Sequence, residues 1–365
     1  MSVICRDLTK GKLFLAYELL ALLDKNIPSA QLFLMTEGKK QYSELLKSFK
    51  NLRYSNFDLD LKESDILIDI TDLEMYDINE SPNKRLIFPV IYSEKSADYC
   101  SLKNKFSHLN HISFTPLAPV KDERPLITGN PLCALDMVQR LLTINDLMDK
   151  KILISAGPTA EDIDPVRFIT NRSSGKMGLE IARAAYIRGA DVELVVGPVG
   201  IEIPGYLNYI KVRSAMQMAD AVISKFPSCD AYIAAAAVAD YTPENFYVEK
   251  IKKQDNGLML NLKRTTDILR SICKIRKKQQ VVIGFSVETE NSFENSRKKL
   301  IEKNLNFIVI NNPKESGAGF ETDTNRVNIL FDNGNHLEYP LLSKFDVSNK
   351  ILDQYLIYLA DRQNG

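Results

Sequence analysis

Residues 169–178 read I-T-N-R-S-S-G-K-M-G and follow an apolar run over 151–156 and the turn Gly157-Pro158-Thr159. The pattern predicts a strand that feeds a Gly/Ser-rich loop, and a helix over 176–188 that the loop opens. The first N–H groups of such a helix lack partners within it and lie at the positive end of its dipole, so the loop suits phosphate. It is not a Walker A loop, because Thr170 stands where the first Gly belongs and Met177 where Ser or Thr belongs. The dinucleotide fingerprint G-x-G-x-x-G is absent as well. The loop is of a third, nucleotide-type kind.

Downstream, apolar runs over 191–196, 231–235, 280–285 and 306–310 predict strands. Amphipathic segments over 215–225, 267–276 and 292–303 predict helices between them. Residues 326–331 and 336–339 flank Asp332-Asn333-Gly334-Asn335 and predict a hairpin, since Asn-Gly tolerates positive φ. A helix over 347–360 closes the chain. The run A-A-A-A-V-A at 234–239 favours helix by propensity. Asp230 before it and Asp240-Tyr241-Thr242-Pro243 after it leave no room for one, so it reads as a buried strand end and loop whose small side chains let a ligand approach the backbone.

Upstream, a helix over 12–24 and strands over 30–35, 66–70 and 85–91 predict a second α/β layer. A helix over 134–147 carries an apolar stripe (Leu135, Val138, Leu141, Leu142) and ends in the polar patch at 146–150. The expected domains are therefore 1–148 and 149–365, as the length of 365 residues also favours. With 47 Lys+Arg against 47 Asp+Glu, the charge balance gives no reason to expect nucleic acid or an anionic membrane as partner. Five scattered cysteines, odd in number and without a C-x-x-C pair, fit a reducing cytosol. There is no apolar run of membrane-spanning length and no secretory layout at the start, so the expected location is cytoplasmic. His108-x-x-His111 lacks further ligands for a metal site.

The elements Gly157-Pro158-Thr159, D-P-V-R-F-I-T-N-R-S-S-G-K-M-G (164–178), A-A-V-A-D-Y (236–241), K-I-K-K (250–253), G-F-S-V-E-T (284–289) and K-N-L-N (303–306) occur in order. Together they resemble the bacterial phosphopantothenate–cysteine ligase family of coenzyme A biosynthesis, usually fused behind a flavin-dependent decarboxylase. The resemblance covers about 151–345 and implies a Rossmann-like ligase domain. It further implies CTP-dependent, Mg²⁺-assisted coupling of 4′-phosphopantothenate to cysteine through an acyl-cytidylate, in a homodimer formed through the ligase domain. A carboxylate is a poor electrophile, so attack on an α-phosphate must activate it, and the crowded anions then need lysines and Mg²⁺. ATP stays open in place of CTP on physical grounds.

The resemblance carries roles onto single residues. Asn171 matches the asparagine that holds the acyl-cytidylate, its amide donating to the developing oxyanion, and Lys250 the lysine at the nucleotide phosphates. Ala234, Ala235 and Ala236 match the small residues under the nucleotide, Asp240 a polar contact and Phe285 an aromatic neighbour. Lys299 and Lys303 match two more nucleotide-binding lysines, placed on one helix face by their i, i+4 spacing. Thr266, Asp267, Ile268 and Leu269 fall at a nucleotide-binding helix start, where this chain reads T-T-D-I and the family N-P-D-I. Thr caps a helix as Asn does. Arg167 matches an arginine that reaches the phosphopantothenate phosphate, from a neighbouring subunit in the family.

The first half faintly resembles the flavodoxin-like decarboxylase partner but lacks its catalytic signatures. D-I-T-D-L (69–73) stands where a small-residue flavin loop belongs, F-P-V-I-Y-S (88–93) replaces an asparagine motif, and Arg6-Asp7-Leu8-Thr9-Lys10 replaces a glycine-rich loop. The expectation is a degenerate flavoprotein domain without FMN or decarboxylase activity. Two rival readings are a fully bifunctional decarboxylase–ligase with divergent flavin residues and a nucleotide-binding homologue that does not turn over.

Overall fold

The computed structural model describes residues 2–7, 31–36, 52–55, 66–72, 85–90, 112–114, 131–252, 258–288, 290–312, 314–315 and 317–364. The chain divides into two compact units: Met1–Thr143 with Pro204–Tyr206, and Ile144–Ile203 with Leu207–Gly365. The expected helix over 12–24 and the pair His108 and His111 lie outside the described residues.

In the first unit, strands β1 (Ser2–Asp7), β2 (Gln31–Thr36), β3 (Leu52–Ser55), β4 (Ile66–Asp72), β5 (Arg85–Val90) and β6 (Ile112–Phe114) form one sheet. All pairs are parallel, in the order β3-β2-β1-β4-β5-β6. This corrects the flavodoxin-like expectation. A flavodoxin sheet places its first strand beside its third, whereas β1 here lies between β2 and β4, the dinucleotide-type order. The reason is β3, which continues the sheet outward from β2 and which the hydrophobic pattern of 52–55 is too short to announce.

The helix expected over 134–147 is α1 (Pro131–Leu142). It starts at Pro131, whose fixed φ suits a first helical position. It stops five residues early because Thr143 closes the last turn, both its N–H and its hydroxyl donating to Gln139 O. Leu147 continues the apolar spacing but belongs to the second unit, fully buried, its N–H donating to Arg188 O (3.0 Å).

The second unit is built on an eight-stranded sheet. Its parallel part comprises β7 (Lys151–Ala156), β10 (Asp191–Val196), β11 (Asn208–Lys211), β12 (Ala231–Ala234), β15 (Val281–Val287) and β16 (Phe307–Asn311). The hairpin β18 (Val327–Phe331) and β19 (His336–Glu338) adds antiparallel to β16. The order is β11-β10-β7-β12-β15-β16-β18-β19. Strand succession therefore reverses between β7 and β12, and at such a switch point the strand C-termini open a crevice. Residues 152–156 of β7 and Phe307–Asn311 of β16 are buried throughout, as strands covered on both faces require.

Helices α2 (Lys176–Ile187), α3 (Ala215–Lys225), α4 (Ile268–Ile275), α5 (Ser292–Glu302) and α6 (Lys344–Asn364) complete the unit. Ser214 and Gln217 cap α3 reciprocally. With eight residues α4 is too short to persist alone. Burial of Ile268, Leu269 and Ile272 holds it, each contributing about 1.5–3 kcal/mol. α6 begins three residues before the expected 347 because Ser343 Oγ accepts from Asp346 N–H (3.0 Å) and acts as its cap. Short antiparallel pairs were missed by pattern reading: β8 (Ala160–Asp162) with β9 (Phe168–Thr170) and β13 (Tyr241–Pro243) with β14 (Leu262–Arg264) fold beside the switch point, and β17 (Thr324–Asn325) pairs with β20 (Leu342–Ser343).

Candidate active site

The phosphate-type loop leaves β9 and opens α2 at Gly175, whose φ of 77° is a left-handed conformation that suits glycine. Gly175 has no side chain to cap α2; instead the loop serines accept there, Ser173 Oγ from Gly175 N–H (3.3 Å) and Ser174 Oγ from Lys176 N–H (3.5 Å). One turn on, Gly178 packs against β7 so closely that a Cβ would lie 2.5 Å from the Ala156 Cβ. The spacing G-K-M-G thus sets α2 hard against the first strand of the sheet, with its N-terminus at the switch point.

The alanine segment emerges from β12 opposite. Its backbone is tied from both sides: Ala235 N–H donates to Ser155 O (3.1 Å) and Ala237 N–H to Gly157 O (2.9 Å). Ala239 N–H donates to the buried Thr159 Oγ1 (3.0 Å), and Thr265 Oγ1 donates to Ala239 O (2.6 Å). Intrinsic helix propensity loses here to these cross-strand bonds, and the segment runs as an open strip with only methyl groups above it.

Two adjoining cavities use this strip as a common wall. One, of about 420 Å³, is lined by Ala234, Asp240, Thr265, Thr266, Asp267, Ile268, Leu269, Lys303 and, at its floor, the hydrogen-bonded pair Ser155 and Tyr232. The other, of about 430 Å³, is lined by Asn171, Arg172, Ser174, Gly175, Lys176, Ala235, Asn311, Phe320 and Lys344 among others. Ala236, Val238, Asp240, Phe285 and Lys299 line both.

The cations are held in defined ways. Lys299 on α5 donates to Phe285 O (2.8 Å). Burial and then neighbouring Lys303 push its pKa below the ordinary lysine value, against the pull of Glu288, Asp240 and Asp267. One turn along, Lys303 pairs with Asp267 (3.2 Å), which also caps α4 by accepting from Arg270 N–H (3.0 Å). Lys344 is buried, and burial followed by Lys176 lowers its pKa as well. The second cavity is thus lined by Arg172, Lys176, Lys299 and Lys344 and by one carboxylate, Asp240, while Asp323 outside the lining pairs with Lys176 (2.7 Å). It is an anion site by charge.

Of the residues singled out from the sequence, Asn171, Ala234, Ala235, Ala236, Asp240, Thr266, Asp267, Ile268, Leu269, Phe285, Lys299 and Lys303 line one or both cavities. Three differ from expectation in their partners. The Asn171 side-chain N–H₂ donates to Ala237 O (3.2 Å) and Val238 O (3.0 Å), so its donors hold the alanine strip rather than pointing free. Arg167 is engaged with the buried carboxylate of Asp164 (2.5 Å) and with Ile251 O (2.9 Å). That guanidinium, with backbone N–H donors from Val166, Ile251 and Arg167, holds the Asp164 carboxyl far below the usual carboxylate range. Lys250 is exposed and lines neither cavity, its neighbour Ile251 being tied by its N–H to Asp164 (3.1 Å). Sequence reasoning gave no role to Lys176, Ser174 and Lys344. The first two lie inside the 169–178 loop, and the third offers no cue beyond a lone lysine before an apolar stripe.

Among the described residues no cluster of three or more His, Cys, Asp or Glu could hold a metal ion, and no helix is long and apolar enough to cross a membrane. The family model for the DNA/pantothenate metabolism flavoprotein C-terminal domain matches residues 147–358. The coenzyme A biosynthesis bifunctional protein CoaBC of Bacillus subtilis (strain 168) is 49% identical over 220 residues, 60% of this chain and 53% of that protein. A cysteine/cysteine sulfinic acid decarboxylase from an unknown prokaryotic organism is 42% identical over 219 residues, 60% of this chain and 61% of that one. The chain therefore spans about half to three fifths of the curated relatives it matches. The crystal structure of the C-terminal domain of a coenzyme A biosynthesis bifunctional protein CoaBC superposes with a TM-score of 0.51 at 42% identity, covering 60% of this chain and 99% of that domain. The match takes in the whole mostly parallel sheet with its crevice and more than half of the sequence, so the chain belongs to the DNA/pantothenate metabolism flavoprotein C-terminal domain family.

Proposed function

We propose that this chain ligates 4′-phosphopantothenate to cysteine with CTP, through an acyl-cytidylate. One observation carries the reading: two cavities, one rich in cations, share a wall of Ala236, Val238, Asp240, Phe285 and Lys299. A mixed anhydride has this shape, a nucleoside on one side of an α-phosphate and an acyl group on the other. In this arrangement the nucleoside occupies the first cavity, and its polyphosphate passes Lys299 toward the Ser174–Gly178 loop in the second.

A substrate carboxylate oxygen attacks the α-phosphorus, the bond to the bridging oxygen breaks, and pyrophosphate leaves toward Lys176 and the N-terminus of α2. The cysteine amine then attacks the acyl carbon, CMP departs with the bonding pair, and the amine loses a proton. Asn171 acts as the anhydride forms by passing its N–H₂ donors from Ala237 O and Val238 O to the acyl oxygen, the oxyanion role its position implies. Lys250 and Arg167 act from the linked 164–167 and 250–251 segments, Lys250 on the nucleotide phosphates and Arg167 on the phosphopantothenate phosphate.

Mg²⁺ fits as an ion carried by the nucleotide rather than by a protein cage: it is commonly held by one or two carboxylates plus substrate phosphates, and Asp240 is the carboxylate common to both cavities. It would neutralise charge on the polyphosphate. A homodimer is part of the reading. Val166, Phe168, Tyr241, Phe246, Tyr247 and Val248 are exposed large apolar residues on and beside the β8–β9 and β13–β14 pairs, and a second copy would cover them. FMN and decarboxylase activity have no place in it, on the missing motifs of the first half.

The test is pyrophosphate release by the purified chain with phosphopantothenate and cysteine, comparing CTP with ATP. Release should require phosphopantothenate and run faster with CTP. A chain that binds nucleotide and releases none is not a ligase. An absorbance band of bound flavin would restore the bifunctional reading.

A further inference from the structure

The turn over 319–323 forms one wall of the second cavity through Gly319 and Phe320. Three side chains from elsewhere hold its backbone carbonyls. Ser174 Oγ donates to Phe320 O (2.6 Å) and Lys176 Nζ to Glu321 O (2.8 Å) and the Asp323 carboxylate (2.7 Å), both from the phosphate-type loop and the start of α2. Lys344 Nζ donates to Gly319 O (3.2 Å), Phe320 O (3.4 Å) and Thr322 O. All three Lys344 side-chain bonds go to this one turn.

Lys344 is an awkward residue for the fold alone. It is 5% exposed, and it is the first residue of α6, where the helix dipole disfavours a cation. Burying an ammonium is unfavourable unless donors are matched, and an apolar side chain of similar length would usually serve packing as well. What the ammonium supplies that an apolar chain lacks is the position of the turn. Thr322 Oγ1 stiffens the same turn from within, near Gly319 O (2.9 Å) and Thr324 O (2.9 Å).

We infer that Lys344 is a positioning residue of the polyphosphate compartment. It fixes the 319–322 carbonyls against Ser174 and Lys176, so that the phosphate-type loop and the start of α2 keep their place along the cavity wall. Lys344 acts through the turn and not on the reacting atoms. The inference rests on the ligase reading above, because that reading places the polyphosphate there.

Lys344→Met keeps the aliphatic stem and removes the three bonds. The expected result is a KM for CTP raised about tenfold, the scale of a lost charged hydrogen bond. Competitive inhibition by inorganic pyrophosphate weakens by a similar factor, while kcat and the KM for cysteine stay within about threefold. Lys344→Arg restores the KM for CTP to within about threefold. Thr322→Val, which loosens the turn without touching charge, raises the same KM by a smaller factor and decides the matter if the Met variant does not fold. An unmoved KM for CTP in folded, active Lys344→Met, or in Thr322→Val, overturns the role and leaves the ligase reading standing. A loss confined to kcat also overturns it. Absence of pyrophosphate release by the unaltered chain removes both.

Discussion

The two sheets of this protein run in the same order over their first six strands, and only the second extends it with an antiparallel hairpin. Each therefore reverses strand succession beside its first strand, where a crevice belongs. The segments leaving the strand ends differ. In the second sheet β7 delivers Gly157-Pro158-Thr159 and β12 delivers four alanines and a valine, so backbone lies open to a ligand. In the first, Leu8-Thr9-Lys10 comes after β1, and β4 closes on Thr71-Asp72. A frame sets where a site is allowed; the residue sizes and charges at the strand ends decide whether chemistry is present.

The strongest way to break this contrast is at Asn171. Asn171→Asp keeps size and shape but removes the donors and adds a negative charge where an oxyanion would form. Ligation should fall by about 10²-fold or more in kcat, the scale of losing an oxyanion donor. The thermal midpoint should move little, because the residue is exposed. Single-turnover assays should show pyrophosphate release running ahead of product formation. Unchanged turnover would remove Asn171 from the chemistry.

A second test concerns the frame. Gly178→Ala places a Cβ 2.5 Å from the Ala156 Cβ and 3.0 Å from its Cα, so α2 must lift from β7. Overpacking of this kind costs about 1–3 kcal/mol, readable as a lower urea midpoint with an unchanged slope. The KM for CTP should rise with it, because the N-terminus of α2 moves. A midpoint equal to that of the unaltered chain would mean that the close approach is not needed.

Much of this was legible in the sequence where one residue type admits one local answer. The parallel strands of the second unit were visible as apolar runs, and the Asn-Gly hairpin as a turn, with φ of 88° at Gly334. The alanine strip was legible because its flanking Asp and Pro residues left a helix no room. What stayed hidden depends on contacts between distant residues. The donors of Asn171 are taken by carbonyls 66 and 67 positions away, and Lys344 meets its turn through backbone oxygens that carry no sequence signature. The order of the first sheet had no signature in the sequence, because β3 is four residues long, shorter than pattern reading resolves, and the flavodoxin-like expectation rested on resemblance alone.

The lowered lysines sharpen the contrast through pH. Lys299 and Lys344 titrate below the ordinary value of 10.5, so the folded chain sheds these protons before the unfolded chain does. In the window between the folded values and 10.5, the unfolded state binds more protons, and these two groups make stability rise with pH. Nucleotide binding runs the other way, because the phosphates lose the Lys299 charge and the 319–322 turn loses the Lys344 ammonium that holds it. Measured from neutral pH to about 10, the KM for CTP should climb while the contribution of these lysines to the denaturation midpoint grows. Lys299→Met should flatten part of both slopes. If both curves fall together in the unaltered chain and in Lys299→Met alike, the site lysines are not the groups titrating.

The smallest effect lies under the crevice of the second sheet, where Ser155 Oγ and Tyr232 OH are hydrogen-bonded at 2.9 Å and almost wholly buried. The pair ties β7 to β12 at the point where strand order reverses, and burial pushes the tyrosine pKa well above its ordinary value, so the phenol stays neutral. Tyr232→Phe leaves the buried serine hydroxyl without its partner and should cost about 1–2 kcal/mol. Ser155→Ala strands the phenol and should cost about as much. In the double variant neither group is left unpaired, so its cost should fall short of the sum by more than about 0.5 kcal/mol. Additive costs would mean that each hydroxyl finds another partner, and that the two central strands are held by their backbone ladder and packing alone.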